Sequence, residues 1–172
     1  GGAGDGDGLT LDSKFAGTPF IKVDEDYPLC GNCGEPLQLF LQLDLGKLPA
    51  ALGDEFGRGL VQFFYCTSEE PFCEVDCEAF FPFAKSVLTR VIAPENLKSA
   101  NENANFSGAF PPKLITGWEE KDDYPNSEEG EELLGIEMSD EQWDEVYDSD
   151  YPVSRDKLAG YKRPRSVDFI DK

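Results

Sequence analysis

At 172 residues the chain is long enough for one packed domain or two small lobes, and a hydrophobic fraction of 40% with 13 Phe excludes a wholly disordered protein. Against 15 basic residues stand 35 acidic ones, a formal net charge of −20 that repels phosphate backbones and anionic lipid and draws basic partners inward. Direct nucleic-acid binding and membrane association are disfavoured, and with no His in the chain the Ser-His and Cys-His nucleophilic pairs are excluded.

Residues 1–12 are rich in Gly and Asp and read as a flexible lead-in. DGDGLTLD lacks the spaced oxygen ligands and closing Glu of an EF-hand loop. No stretch approaches 18 apolar residues, and the start has neither a basic nor an apolar signal region, so a soluble protein kept in the cytoplasm is expected. The only Met is Met138, and both ends are read as provisional.

SKFAGTPFIK, residues 13–22, reads as a loop leading into a short edge strand, punctuated by Gly17 and Pro19. YPLCGNCGEPLQLFLQLDL, residues 27–45, sets a CxxC pair directly before a segment in which Leu37, Leu39, Leu41, Leu43 and Leu45 recur at period two. Period two marks one face of a strand, since a helix would scatter those leucines around its circumference. Then come a connection with room for a helical turn at Pro49–Leu52, a buried strand LVQFFYC at 60–66, and an irregular stretch at 67–85. Its Phe72, Phe80, Phe81 and Phe83 are expected to pack into the core under the loop. Strands are predicted at Ser86–Ile92 and Lys113–Trp118, with loop between.

From Glu119 to Asp150 there are 15 acidic residues and one basic residue, Lys121. Helix starts are read at Ser127 and at the capping box Ser139-Asp-Glu-Gln142, which would place Trp143, Val146 and Tyr147 on one stripe. A solvated face is the usual meaning of such a charge run, but its density also suits a surface for a basic partner. Near the end, Asp156-Lys-Leu-Ala-Gly160 echoes Ser13-Lys-Phe-Ala-Gly17. The expected organisation is therefore a lead-in (1–12), a β-rich cysteine-containing lobe (13–118), an acidic helical segment (119–152) and the start of an incomplete second repeat (153–172).

Five cysteines, Cys30, Cys33, Cys66, Cys73 and Cys77, lie close together in the chain. An odd number without a signal peptide favours reduced thiols over a disulfide scaffold. Zinc needs about four soft ligands, and CxxC supplies two from one knuckle. The preferred set is Cys30, Cys33, Cys66 and Cys73, with Cys77 as the alternate ligand. Unmetallated buried thiols and redox chemistry are the other readings. Redox ranks last because CGNC precedes a strand, whereas a redox CxxC caps a helix that lowers the thiol pKa. No nucleotide cradle is present.

The runs SKFAGTPF, YPLCGNCGEPLQLFLQLDL, GLVQFFYC, ITGWEEKDDYP and DKLAG occur in an order that resembles the YwqG-like domain family, related to the programmed cell death protein two-like ribosome-biogenesis proteins. The resemblance implies a mainly β fold with peripheral helices, often in two related halves. It implies a zinc-type cluster at the matching Cys30, Cys33, Cys66 and Cys73. For function it implies a dedicated chaperone for a basic ribosomal protein, or an immunity protein against a toxin. The expectation is an α+β, predominantly β, non-enzymatic module that binds a basic protein through an acidic surface, with a metal-dependent or thiol-based enzyme as the alternative.

Overall fold

A computed structural model describes residues 4–52, 56–81, 83–97, 101, 110–121, 135, 137–148, 157–158 and 166–169. Its main element is a six-stranded antiparallel sheet in the order β1-β6-β2-β3-β4-β5. The strands are β1 (Gly4–Asp5), β2 (Lys14–Phe15), β3 (Gln38–Asp44), β4 (Leu60–Tyr65), β5 (Val87–Ile92) and β6 (Lys113–Leu114). A second sheet joins β7 (Trp118–Lys121), β8 (Lys157–Leu158) and β9 (Ser166–Phe169) in the order β7-β9-β8. With only short helices, α1 (Cys73–Asp76) and α2 (Asp140–Asp148), among the described residues, the protein is α+β and predominantly β. None of these helices is long and apolar enough to cross a membrane.

β4 and β5 form where β-branched and aromatic residues are dense, as expected, and their six paired positions run in unbroken register. Gly59 lets β4 begin against β5: at φ +120 it carries no Cβ, which would otherwise collide with the Ile92 carbonyl oxygen. A 3-10 turn at Ala50–Leu52 falls where the sequence predicts one. The predicted strand at 113–118 is divided between the two sheets, β6 ending at Leu114 and β7 starting at Trp118. β2 is not an edge strand, because β6 pairs on its other side.

β3 corrects the simplest reading of the leucine run. Leu39 lies opposite Phe64 and Leu41 opposite Phe63, so Phe40 is an inserted residue and the strand bulges there. Because neighbouring residues of β4 point to opposite faces, the bulge sends Leu41 and Leu43 to the face opposite Leu39. Gln42 then joins Leu39 on the inner face and is fully buried.

The inner face therefore carries a polar seam between two apolar clusters. One cluster joins Ile21, Leu37, Leu39 and Phe64 to Cys30, Cys66 and Cys73; the other joins Phe20, Leu60 and Ile92. Between them, Gln62 Nε2 donates to Gln42 Oε1 at 2.8 Å and to the Phe20 carbonyl at 2.8 Å. Gln42 Nε2 donates to the Thr10 and Asp12 carbonyls, and its Oε1 also accepts from the Phe20 amide. Arg90 Nε donates to Gln62 Oε1 at 2.8 Å, while its Nη1 pairs with Glu25 and its guanidinium lies over the Phe64 ring. On the outer face Phe15, Phe40, Phe63 and Tyr65 form a chain of edge-on and stacked rings.

The segment expected to be a flexible lead-in contributes β1 and an anchor. Asp7 accepts from the buried Lys14 Nζ at 2.9 Å and from the Thr18 amide at 2.9 and 3.0 Å. Partial burial raises the Asp7 pKa, but the Thr18 and Lys14 hydrogen bonds and the Lys14 charge outweigh it and hold the carboxyl below its ordinary 3.8. A lowered folded-state value means that the contribution is present above the unfolded value and is lost as pH falls through the folded one. The melting temperature should therefore drop as pH falls below about 4, and Asp7→Asn, read by the same melts, should flatten that drop.

In α2 the predicted capping box is reciprocal: Gln142 N donates to Ser139 Oγ at 3.3 Å and Ser139 N to Gln142 Oε1 at 2.9 Å. The helix start read at Ser127 lies outside the described residues. Lys157–Leu158, in the echo of Ser13–Gly17, forms a two-residue strand as its counterpart Lys14–Phe15 does.

Candidate metal centre

The knuckle is a small closed loop. Leu29 bridges Pro36, Leu37 N donates to the Pro28 carbonyl, and Cys30 N donates to the Glu35 carbonyl at 2.8 Å. The turn inside it is closed by Gly34 N donating to Cys30 O, with Gly34 at φ +78, a conformation that favours a residue without Cβ. Gly31 N donates to the Lys85 carbonyl and ties the knuckle to the segment before β5. Cys66 follows β4 directly, and its N–H donates to the Ser86 carbonyl, extending the ladder by one bond. Cys73 opens α1 and is its only buried residue.

These elements bring together the four sulfurs of Cys30, Cys33, Cys66 and Cys73, all within 4.8 Å of one another. Cys30 Sγ lies 4.0 Å from Cys73 Sγ and Cys33 Sγ 3.6 Å from Cys66 Sγ. Disulfide bonds need about 2.05 Å, and all five cysteines are free. Around a tetrahedral ion with metal–sulfur bonds of about 2.3 Å, sulfurs sit about 3.8 Å apart. The group is thus compatible with metal binding. Cys77, the alternate ligand in the sequence reading, lies at the C-terminal end of α1, donates its N–H to Cys73 O and stays outside the group.

Donors converge on the sulfurs. Asn32 N donates to Cys30 Sγ and Ser68 N to Cys66 Sγ, each at 3.4 Å, and the Asn32 side-chain amide donates to Cys73 Sγ at 3.3 Å. Opposite Cys66 on the same inner face, the buried Ser86 hydroxyl has no hydrogen-bond partner. The charges point the same way. At Cys30 burial raises the pKa, but the amides of Cys33 and Asn32 and the neighbouring thiols outweigh it and bring the thiol to about 7. Cys66 is pushed up, foremost by burial, and Cys73 rises although the Asn32 amide pulls it down. A bound metal cation would favour ionisation of the thiols around it. Asn32 was not singled out by sequence; its place as the polar residue inside CGNC is the one local sign of it.

A predominantly β lobe closed at one corner by a cysteine knuckle, with four thiols placed as a metal could use them, is the class that fold and site define. The chain belongs to the family described as domain of unknown function DUF1963, whose model matches residues 13–172, in keeping with the YwqG-like resemblance of its motifs. A search of curated proteins finds no match.

Proposed function

We propose that this chain is a non-enzymatic protein-binding module, chaperone-like or immunity-type, that holds a basic protein partner such as a ribosomal protein or a toxin against an acidic surface. The observation that carries this reading is the net charge of −20. A field of that sign speeds encounter with a basic protein and selects against acidic ones. Exposed carboxylates support it on two separate elements: Glu69, Glu70, Glu74, Asp76 and Glu78 around α1, and Asp140, Glu141, Asp144 and Glu145 on α2.

The cysteine cluster is structural in this reading, with zinc as its metal. Four thiolates around a tetrahedral zinc leave no open position for a substrate or an activated water, which supports a binding role over a metal-dependent enzyme. The metal ties the knuckle to the end of β4 and the start of α1, and so fixes the surfaces nearby.

The test is capture of partners from the host, identification of the retained protein, and titration of the purified pair at increasing salt. A stoichiometric complex with a basic protein is expected, weakening at least about tenfold between about 0.05 and 0.5 M salt as exposed charges are screened. A salt-independent complex, or no basic partner, contradicts the proposal.

A further inference from the structure

The stretch between Cys66 and β5 turns its aromatic side chains outward, contrary to the expected packing under the loop. Phe80 is 78% exposed and Phe83 96%, and Phe72, Val75 and Phe81 are exposed as well. The cause is local: α1 has one turn and buries only Cys73, and among the described residues no second layer packs over the flanking side chains. Single exposed apolar residues are ordinary on a protein surface, but a contiguous group marks a contact site. The Phe80 and Phe81 rings lie 4.6 Å apart and so hold each other in place. Phe81, Phe83 and Ala84 form the apolar wall of an open cleft of about 470 Å³ beside the knuckle, with Asp76, Glu78 and Lys85 also on its lining. Over residues 67–85, Glu69, Glu70, Glu74, Asp76 and Glu78 face a single cation, Lys85.

We infer that this aromatic projection is the docking site for a basic, apolar-bearing segment of a protein partner, with an Arg or Lys side chain seated in the cleft. The inference rests on the basic-partner reading and gives it a place. An aliphatic stem of that length can lie along Phe81 and Phe83, where a guanidinium also gains cation–π attraction, while Asp76 and Glu78 receive its charged head. The same carboxylates disfavour the other coverings. A second copy would bring five like charges against five, and an anionic lipid surface would be repelled. Cys73 lies at the root of the projection and Asn32 of the knuckle lines the cleft, so the cysteine cluster fixes the relative position of its two sides.

The test uses the full chain and two labelled synthetic peptides, one alternating Arg and Leu and one alternating Arg and Ser at equal charge, read by fluorescence anisotropy. The Arg–Leu peptide is expected to bind more tightly, and Phe80→Ser/Phe83→Ser to weaken it about tenfold or more while leaving the Arg–Ser peptide unchanged. Asp76→Asn/Glu78→Gln is expected to weaken both peptides and to flatten their salt dependence. All four positions are exposed, and circular dichroism and thermal melts verify that the variants fold. Equal affinity for the two peptides, or a Phe80→Ser/Phe83→Ser variant that binds Arg–Leu peptide as the native chain does, overturns the docking site while salt-sensitive binding upholds the basic-partner reading. Absence of binding by either peptide at low salt overturns both.

Discussion

Cys73→Ser is expected to lower stability by about 4 kcal/mol or more, whereas Cys77→Ser should stay within about 0.5 kcal/mol of the native chain. The two cysteines are four residues apart, so the contrast isolates what the cluster does. Cys73 is fully buried, sits 4.0 Å from Cys30 Sγ and receives the Asn32 amide; Cys77 is half-buried and outside the group. If a metal is bound only in the folded state, its binding free energy is folding free energy, and removal of one ligand of four forfeits much of it. Urea unfolding measures the difference. A chelator should bring the native chain down toward Cys73→Ser and leave that variant little changed, because its metal is already lost.

Gln62→Leu is expected to cost about 3 kcal/mol, although leucine matches the hydrophobic character of the strand and nearly the volume of the side chain. Gln62 donates to the Phe20 carbonyl and to Gln42 Oε1 and accepts from Arg90 Nε. Leucine offers none of these bonds, and each buried group left unpaired costs about 1–3 kcal/mol. Arg90 is the most exposed to the change, since its Nη2 already lacks a partner. In a double-mutant cycle, Gln62→Leu and Arg90→Met should be non-additive by about 1 kcal/mol or more. Additive costs would mean that the seam is a set of separate contacts instead of one network.

The seam also marks the limit of what sequence patterning conveys. Alternation from Leu37 to Leu45 is regular, and it places Gln38 and Gln42 together on the face away from the leucines. The bulge at Phe40 breaks that arrangement after Leu39 and turns Gln42 inward, where its partners are Thr10, Asp12, Phe20 and Gln62, all distant in the chain. Bulges are set by which residues of the partner strand are matched, and nothing within nine residues of one strand encodes that. By contrast, the β4 and β5 strands and the Ser139 capping box were legible because their causes are local: side-chain shape in the strands, and two reciprocal hydrogen bonds across one helical turn in the cap.

The thiol group was legible for a chemical reason. Few residue types suit a soft metal, so CxxC and two more cysteines nearby have few other uses in a chain with no His. Spacing alone does not separate Cys77 from the set; on the one-turn helix Cys73 is buried, whereas Cys77, at its C-terminal end, stands outside the group of four sulfurs. The aromatic residues from Phe72 to Phe83 misled because apolar composition reports a preference for burial, whereas burial also needs a neighbouring layer. Where that layer is missing, the same composition describes a surface that another protein could cover.

The claim that the four thiols form one metal-holding staple is tested most directly by elemental analysis of the purified protein combined with native thiol counting. One zinc per chain with a single reactive thiol, Cys77, rising to five thiols after chelation and unfolding, is the predicted result. Five reactive thiols in the native protein with no bound metal would contradict it.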